Sequence, residues 1–406
     1  MGTLRTLLLI ACAFRLAAQP TLGRDDRWRE DIAALAGIIQ QRHPDPVRNV
    51  SREQLATAFE TLSAQVPTLA DYQIVLGMNR ALALMGDAHT ALGAFGAAAG
   101  VRFFPLRLRH FAGGWYAVEA NARLTAALGK RLLRIEGRPV EEIMEQVAKL
   151  IPHENDQWVL ANAGNYLISP EVLHTLGVVA DRNAAAAYNF EGGLTLTARI
   201  EGGTLFRYPR PGAPDPPLSQ RNREYFYWFR WLEQEQLLYI KYDVCQQDPA
   251  LPMAEMARQA LAAVPAGGPL RFVIDLRDNT GGNSAVTLEL LNTLGEAFAT
   301  GRIQVRDAFG IIGRNTFSSG LLAALELRSS GVVQLLGETA GQPPNHFGDV
   351  FSFTLPNSRI GGQVSTREFR NPNIPGDLTP DIPVDYTIED WAAQRDPYLD
   401  AILRRQ

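Results

Sequence analysis

The feature that most constrains the fold lies in the second half of the chain, where strand-like and helix-like segments alternate. The order runs LLYIKYDV, a helix over 253–263, RFVIDL, a helix over 284–294, IQVRDAFGIIG, a helix over 318–327, then VVQLLG. Each apolar run is short enough for a buried strand, and each is followed by a stretch with helical period. Such alternation predicts an α/β domain with parallel strands, whose working residues lie beyond the carboxyl ends of those strands. Two segments fall at such ends. FVIDLRDNTGG (272–282) ends a strand in acidic residues, Asn279 and the pair Gly281-Gly282, and NTFSSG (315–320) carries Ser318 and Ser319 into a helix.

The rest of the chain is organised differently. Residues 25–84 have helical periodicity, with capping-box signatures at Ser51–Gln54 and at Thr68 with Asp71, and a break at His43-Pro44-Asp45-Pro46. From Val101 the pattern changes to strands (VRFFPLRLRHF, WYAVEA, KRLLRIEG) followed by a helix over 139–151. Further short strands and the Pro-rich YPRPGAPDPPL follow before the alternating region. At 406 residues the chain has room for two or three domains, and a formal charge of -4 leaves no electrostatic footprint for nucleic acid. The first residues read as an export signal over 1–18: Arg5, an apolar run over 7–14, then Ala17-Ala18-Gln19. That run is too short to span a bilayer. The order Leu9-Ile10-Ala11-Cys12 also allows a lipoprotein anchored at Cys12. Cys245, the other cysteine, is expected in the core.

Two glycines after a strand can turn backbone N–H groups toward an anion, and a serine at a helix start can present its hydroxyl. Together they are the parts of an acyl-transfer site, although a plain helix cap and a tight turn use the same residues. The sequence has no G-x-S-x-G elbow, no H-E-x-x-H, no P-loop and no Cys/His cluster at metal spacing, so no cofactor or metal is expected. A serine nucleophile needs a base. The three lysines, Lys130, Lys149 and Lys241, all precede Ser318. Among six histidines, His89 in the turn GDAHT stands out, with His346 as its rival. His43 and His153 read as surface residues at helix ends.

IDLRDNTGG, TFSSG, LLGETAG and LTPDIPV, in that order, resemble the C-terminal-processing (tail-specific) serine peptidase family. GDAHT resembles the D-x-H-T turn of its tricorn-like branch, and KRLLRIEGRPVEE the strand-and-helix signature of a PDZ-like module. The resemblance implies an α/β (α+β multidomain) chain with a ClpP/crotonase-like core over 225–406. It further implies a helical cap over 24–98, a PDZ-like module over 101–152 and a connecting region over 153–224. It places the nucleophile at Ser318, the oxyanion donors at Gly281 or Gly282 and Ser319, and the base at His89. Gln342 stands where the Ser–Lys branch would carry its lysine. Asp377 is the implied acidic member, ahead of Glu368 and Glu338. The substrate is then a peptide or protein, cleaved by an exported enzyme. A binding protein without turnover on the same scaffold is the alternative, and a dyad through Lys241 a third.

Overall fold

The computed structural model describes residues 22–95, 99–201, 216–265 and 269–405. The expected signal over 1–18, with Cys12, and most of the Pro-rich stretch lie outside the described residues.

A six-stranded sheet forms the centre of the second half. Its order is Ile382–Pro383, Val333–Gly337, Gln304–Ile312, Pro269–Asp275, Leu237–Tyr242 and Tyr227–Leu232. All pairings are parallel except the last, where Tyr227–Leu232 runs antiparallel along Leu237–Tyr242. Side chains alternate across a strand, so both faces of a central strand must be apolar. Leu238, Ile240, Phe272 and Ile274 face helices Met253–Ala262, Ser284–Ala299 and Ser319–Ser329. Tyr239, Val273, Phe309 and Ile311 face Trp391, Tyr398 and Ile402 of the closing helices. The expected α/β architecture with parallel strands is present, and Cys245 is buried within it.

Three helices, Arg24–Arg42, Arg52–Gln65 and Asp71–Ala83, open the described chain. The Ser51–Gln54 capping box forms in both directions, 3.1 and 3.0 Å. The expected Thr68–Asp71 box does not: Gln73 Oε1 caps the Ala70 N–H instead, and the Thr68 hydroxyl turns back to Gln65 O. The strand expected from Val101 starts only at Leu106, because Pro105 has no N–H to place in a ladder. Leu106–Phe111 pairs with Gly114–Ala120. Leu132–Ile135 pairs across residue 152 with Ala186–Phe190, and that strand with Thr195–Ala198, so a single sheet joins segments on both sides of that point. Helices Asp156–Leu167 and Pro170–Thr175 lie between them in sequence.

A long hairpin, His346–Thr354 with Gly361–Phe369, ties the parts together. It adds the short strand Ala91–Leu92 at its edge, which brings the turn before that strand to the core. The buried Asp31 of the first helix accepts the N–H groups of Asn357 and Ser358 at the hairpin's tip, both at 2.8 Å. Among the described residues no helix is long and apolar enough to cross a membrane.

Candidate active site

The loop after Pro269–Asp275 is held from below. Asp275 accepts the Tyr239 hydroxyl at 2.5 Å and both the N–H and Nε of Arg277. Asn279 staples the turn: its Nδ2 donates to Tyr242 O, its Oδ1 accepts the Gly281 N–H, and its carbonyl accepts the Phe317 N–H. The Gly281 N–H, one of the expected oxyanion donors, is therefore spent inside the loop. The N–H groups of Gly282 and Ser319 have no backbone or side-chain acceptor among the described residues. Both glycines have positive φ, +102° and +130°, and neither could carry a side chain. A Cβ on Gly281 would stand 2.6 Å from the Ser318 Cβ, so the glycine loop and the serine touch directly.

Ser318 sits at the entry to helix Ser319–Ser329 with φ 52° and ψ −126°, a conformation L-residues rarely adopt. Such strain persists where its surroundings enforce it, and it marks functional turns. The enforcing contacts are visible. The Ser318 N–H donates to Gln342 Oε1 at 3.0 Å, the Ser319 hydroxyl donates to Gly282 O at 2.7 Å, and Gly320 packs onto Asn279. Ser318 makes no side-chain cap to its own helix, so the bland reading of this serine as an N-cap is not what the geometry shows.

His89 faces the same cavity, of about 580 Å³, as Ser318, Ser319, Gly282 and His346. Its ring stacks on Phe317 at 4.4 Å, and Phe317 stacks on Trp158 at 4.1 Å. The turn below is locked by Asp87, whose carboxylate accepts the His89 N–H, the Thr90 hydroxyl and His43 Nε2. The Asp45 N–H donates to His43 Nδ1, which leaves the His43 proton on Nε2, toward Asp87. His43 was expected at the surface; it is buried, because only from there can it answer the buried Asp87. His153 is half-buried, its Nδ1 at 2.6 Å from Ile151 O.

At His89 Nδ1 the partner is Gln342 Nε2, 3.0 Å away, and the same Nε2 reaches Glu154 Oε1 at 3.1 Å. His89 Nε2 is buried without a hydrogen-bond partner. Burial pushes His89 down to about 4, with the Asp87 charge opposing and His346 adding to the fall. Burial also pushes Glu154 up to about 8, helped by the Asp87 charge. At neutral pH the site therefore holds a neutral imidazole, beside a carboxyl group whose acid form burial favours. Asp87, His89 and Glu154 offer ligand atoms within 4.8 Å of one another, but hydrogen bonds already engage Asp87 and Glu154.

The other candidates lie elsewhere. Asp377, the implied acidic member, is exposed, accepts from Asn155 Nδ2 at 2.9 Å and makes no hydrogen bond to His89. Glu368 is held at about 2 by Arg48 and Arg370, and Glu338 is taken by Arg314 and Tyr398. His346 Nδ1 donates to Pro343 O, its ring stacked on Phe369. Lys241 is buried among Asp243, Asp275 and Asp278, and although burial opposes it, those charges raise its pKa, so it is no proton acceptor. Glu154 was not among the residues singled out from sequence. It is separated from His89 by the whole strand region, and nothing local marks it.

The His89 shift has a consequence for stability. Its pKa is lower folded than unfolded, so its contribution is complete above about 6.5 and is lost as pH falls through about 4. That arm amounts to about 3 kcal/mol. Glu154 works oppositely, its contribution fading as pH rises through about 8. Thermal unfolding from pH 4 to 9 should show both arms; His89→Gln should flatten the acid one and Glu154→Gln the alkaline one. An unchanged acid arm in His89→Gln would remove His89 as its source.

Among solved structures, mature CPAF complexed with lactacystin is similar at TM-score 0.63 and 11% sequence identity, covering 94% of this chain and 98% of that one. Mature CPAF alone is similar at 0.61 and 13%, covering 94% and 97%. The chain shares the fold of mature CPAF. The photosystem II D1 C-terminal processing protease is a looser neighbour, at TM-score 0.40 and 12% identity over 90% of this chain and 94% of that one. The tricorn protease is another loose neighbour, at TM-score 0.46 and 11% identity over 93% of this chain and 36% of that one. At such identities the likeness concerns the fold. No protein-family model matches the chain, and no curated protein matches it.

Proposed function

We propose that this chain is an exported serine peptidase with Ser318 as nucleophile and His89 as general base. The observation that carries the reading is the strained Ser318, touching Gly281 and sharing one cavity with a buried, neutral His89. The scaffold is then a ClpP/crotonase-like core beside a PDZ-like module. Ser318 Oγ attacks the peptide carbonyl, and His89 Nε2 takes its proton and returns it to the leaving amine. The free N–H groups of Gly282 and Ser319 receive the oxyanion. Water then attacks the acyl-enzyme with His89 again as base, releasing the acid and restoring Ser318.

One adjustment must precede attack. With Gln342 Nε2 donating to Nδ1, the neutral His89 carries its proton on Nε2, the atom that has to accept one. Turning the Gln342 amide would let Nδ1–H donate to Oε1 and free Nε2, at the cost of the bond from the Ser318 N–H and of the bond to Glu154 Oε1. The resting arrangement is thus closed, and peptide binding would open it. The same tautomer favours the second reading, a peptide- or apolar-ligand-binding protein without turnover. A serine-reactive phosphonate separates the two. Labelling at Ser318 that disappears in His89→Ala supports the peptidase; no labelling at any pH between 5 and 9, with peptide present or absent, sinks it.

A further inference from the structure

A second cavity, of about 250 Å³, shares the two catalytic loops but none of the residues that line the serine cavity. Arg107, Arg109, Arg223, Arg277 and Arg314 all line it. Three of them are answered by carboxylates. Arg314 pairs with Glu338 at 2.9 Å, Arg107 with Glu119 at 3.5 Å, and Arg277 with Asp275 and Asp396, each at 2.9 Å. Arg109 and Arg223 have no ion-pair partner among the described residues. Arg109 instead lies over the rings of Phe111 and Tyr386, 5.1 and 4.9 Å from their centres. The remaining carboxylate on the wall, Asp278, is shared with Lys241 at 3.4 Å. Arg109 and Arg223 both act on it, since together with Lys241 and Arg277 they hold it below the usual carboxylate range against the effect of burial. Two guanidinium groups from two separate segments thus line one cavity without an ion pair, and the Asp278 charge they share is also taken by Lys241. Arg314 Nε adds a buried donor with no acceptor.

The geometry points to a binding site for a phosphate dianion, free or as a small phosphomonoester, held between Arg109 and Arg223. Guanidinium groups approaching from different walls match a tetrahedral oxyanion, which offers acceptors on every side. The occupant would brace the active site. Arg277 and Asp278 lead directly into Gly281-Gly282, and Gly313 to Asn315 lead into Ser318. This bracing rests on the peptidase reading, but the binding does not.

Calorimetry on the full chain tests it, with inorganic phosphate titrated at constant ionic strength against a chloride control. One saturable site is expected. Arg223→Met, at an exposed and unpaired residue, should weaken it about tenfold, and adding Arg109→Met should remove it. Glycerol phosphate binding more tightly than phosphate would assign a phosphomonoester, and binding more weakly the free ion. No saturable heat up to roughly 10 mM phosphate, or an R223M isotherm identical to that of the parent chain, overturns the site. Because no turnover is read, phosphate binding without hydrolysis would sink the peptidase reading alone, and hydrolysis without phosphate binding this one alone.

Discussion

Replacing Ser318 by alanine is expected to lower peptide hydrolysis at least ~10⁴-fold while leaving the fold unchanged. The two halves of that expectation have separate grounds. The Ser318 side chain makes no hydrogen bond to its helix, and the Ser318 N–H, which bonds Gln342, survives the substitution. Alanine would meet the same strain at φ 52° as serine does, so the thermal midpoint should move little. Catalysis, by contrast, would lose its nucleophile outright, leaving only the contribution of positioning and the oxyanion donors. His89→Ala should cost about as much, and the double variant little more, since nucleophile and base act as a unit. Ser319→Ala provides the contrast, because its hydroxyl serves Gly282 O and is not expected to attack anything. In the active enzyme, kcat/KM should rise with pH through about 4, where His89 becomes neutral. Full turnover of a peptide library by Ser318→Ala would dismiss the assignment.

Gly282→Ala should be strongly damaging for a single added methyl group. The added Cβ would stand 2.4 Å from the carbonyl oxygen and 2.9 Å from the carbonyl carbon of Cys245, at φ +130°. Both atoms are backbone, tied by the bonds from Cys245 N–H to Gly281 O and from Asn283 N–H to Cys245 O, so neither can swing aside. Backbone strain and steric overlap act together here, and a loss of about 3–5 kcal/mol is expected by chemical denaturation. Gly295→Ala, inside helix Ser284–Ala299 with nothing within 4 Å of its Cβ, should instead stabilise the chain by up to about 1 kcal/mol. A Gly282→Ala protein as stable as the parent would mean that the loop can re-form, and that the Gly282 N–H is not held where an oxyanion would need it.

Much of the architecture was legible from period and punctuation. Runs such as RFVIDL are apolar on both faces because helices cover both sides of the sheet, and that covering is what makes a parallel strand recognisable. The glycine pair and the serine were legible because their chemistry is local: φ > 0 needs glycine, and a helix start exposes its first residue. The place of His89 was partly legible, since Asp87 and Thr90 bracket it within one turn and lock that turn by short-range bonds. The carboxyl group joined to it through Gln342 was not. Asp377 has the right residue type and chain order yet is exposed, while Glu154 reaches Gln342 only because strands and helices far apart in sequence fold together. His43 failed for a related reason: a histidine before a proline reads as surface until the buried carboxylate it answers is known.

By itself, then, the sequence determined the strand–helix alternation, the glycine turn and the serine at the helix start, all of which follow from the φ/ψ needs and side-chain period of neighbouring residues. Only the tertiary structure decided that Gly281 packs on Ser318. It alone decided that Gln342 ties Ser318, His89 and Glu154 into one network, and that burial lowers the His89 pKa and raises that of Glu154. Hydrogen bonds and desolvation act through space, and the groups they couple here lie on segments that chain order keeps far apart.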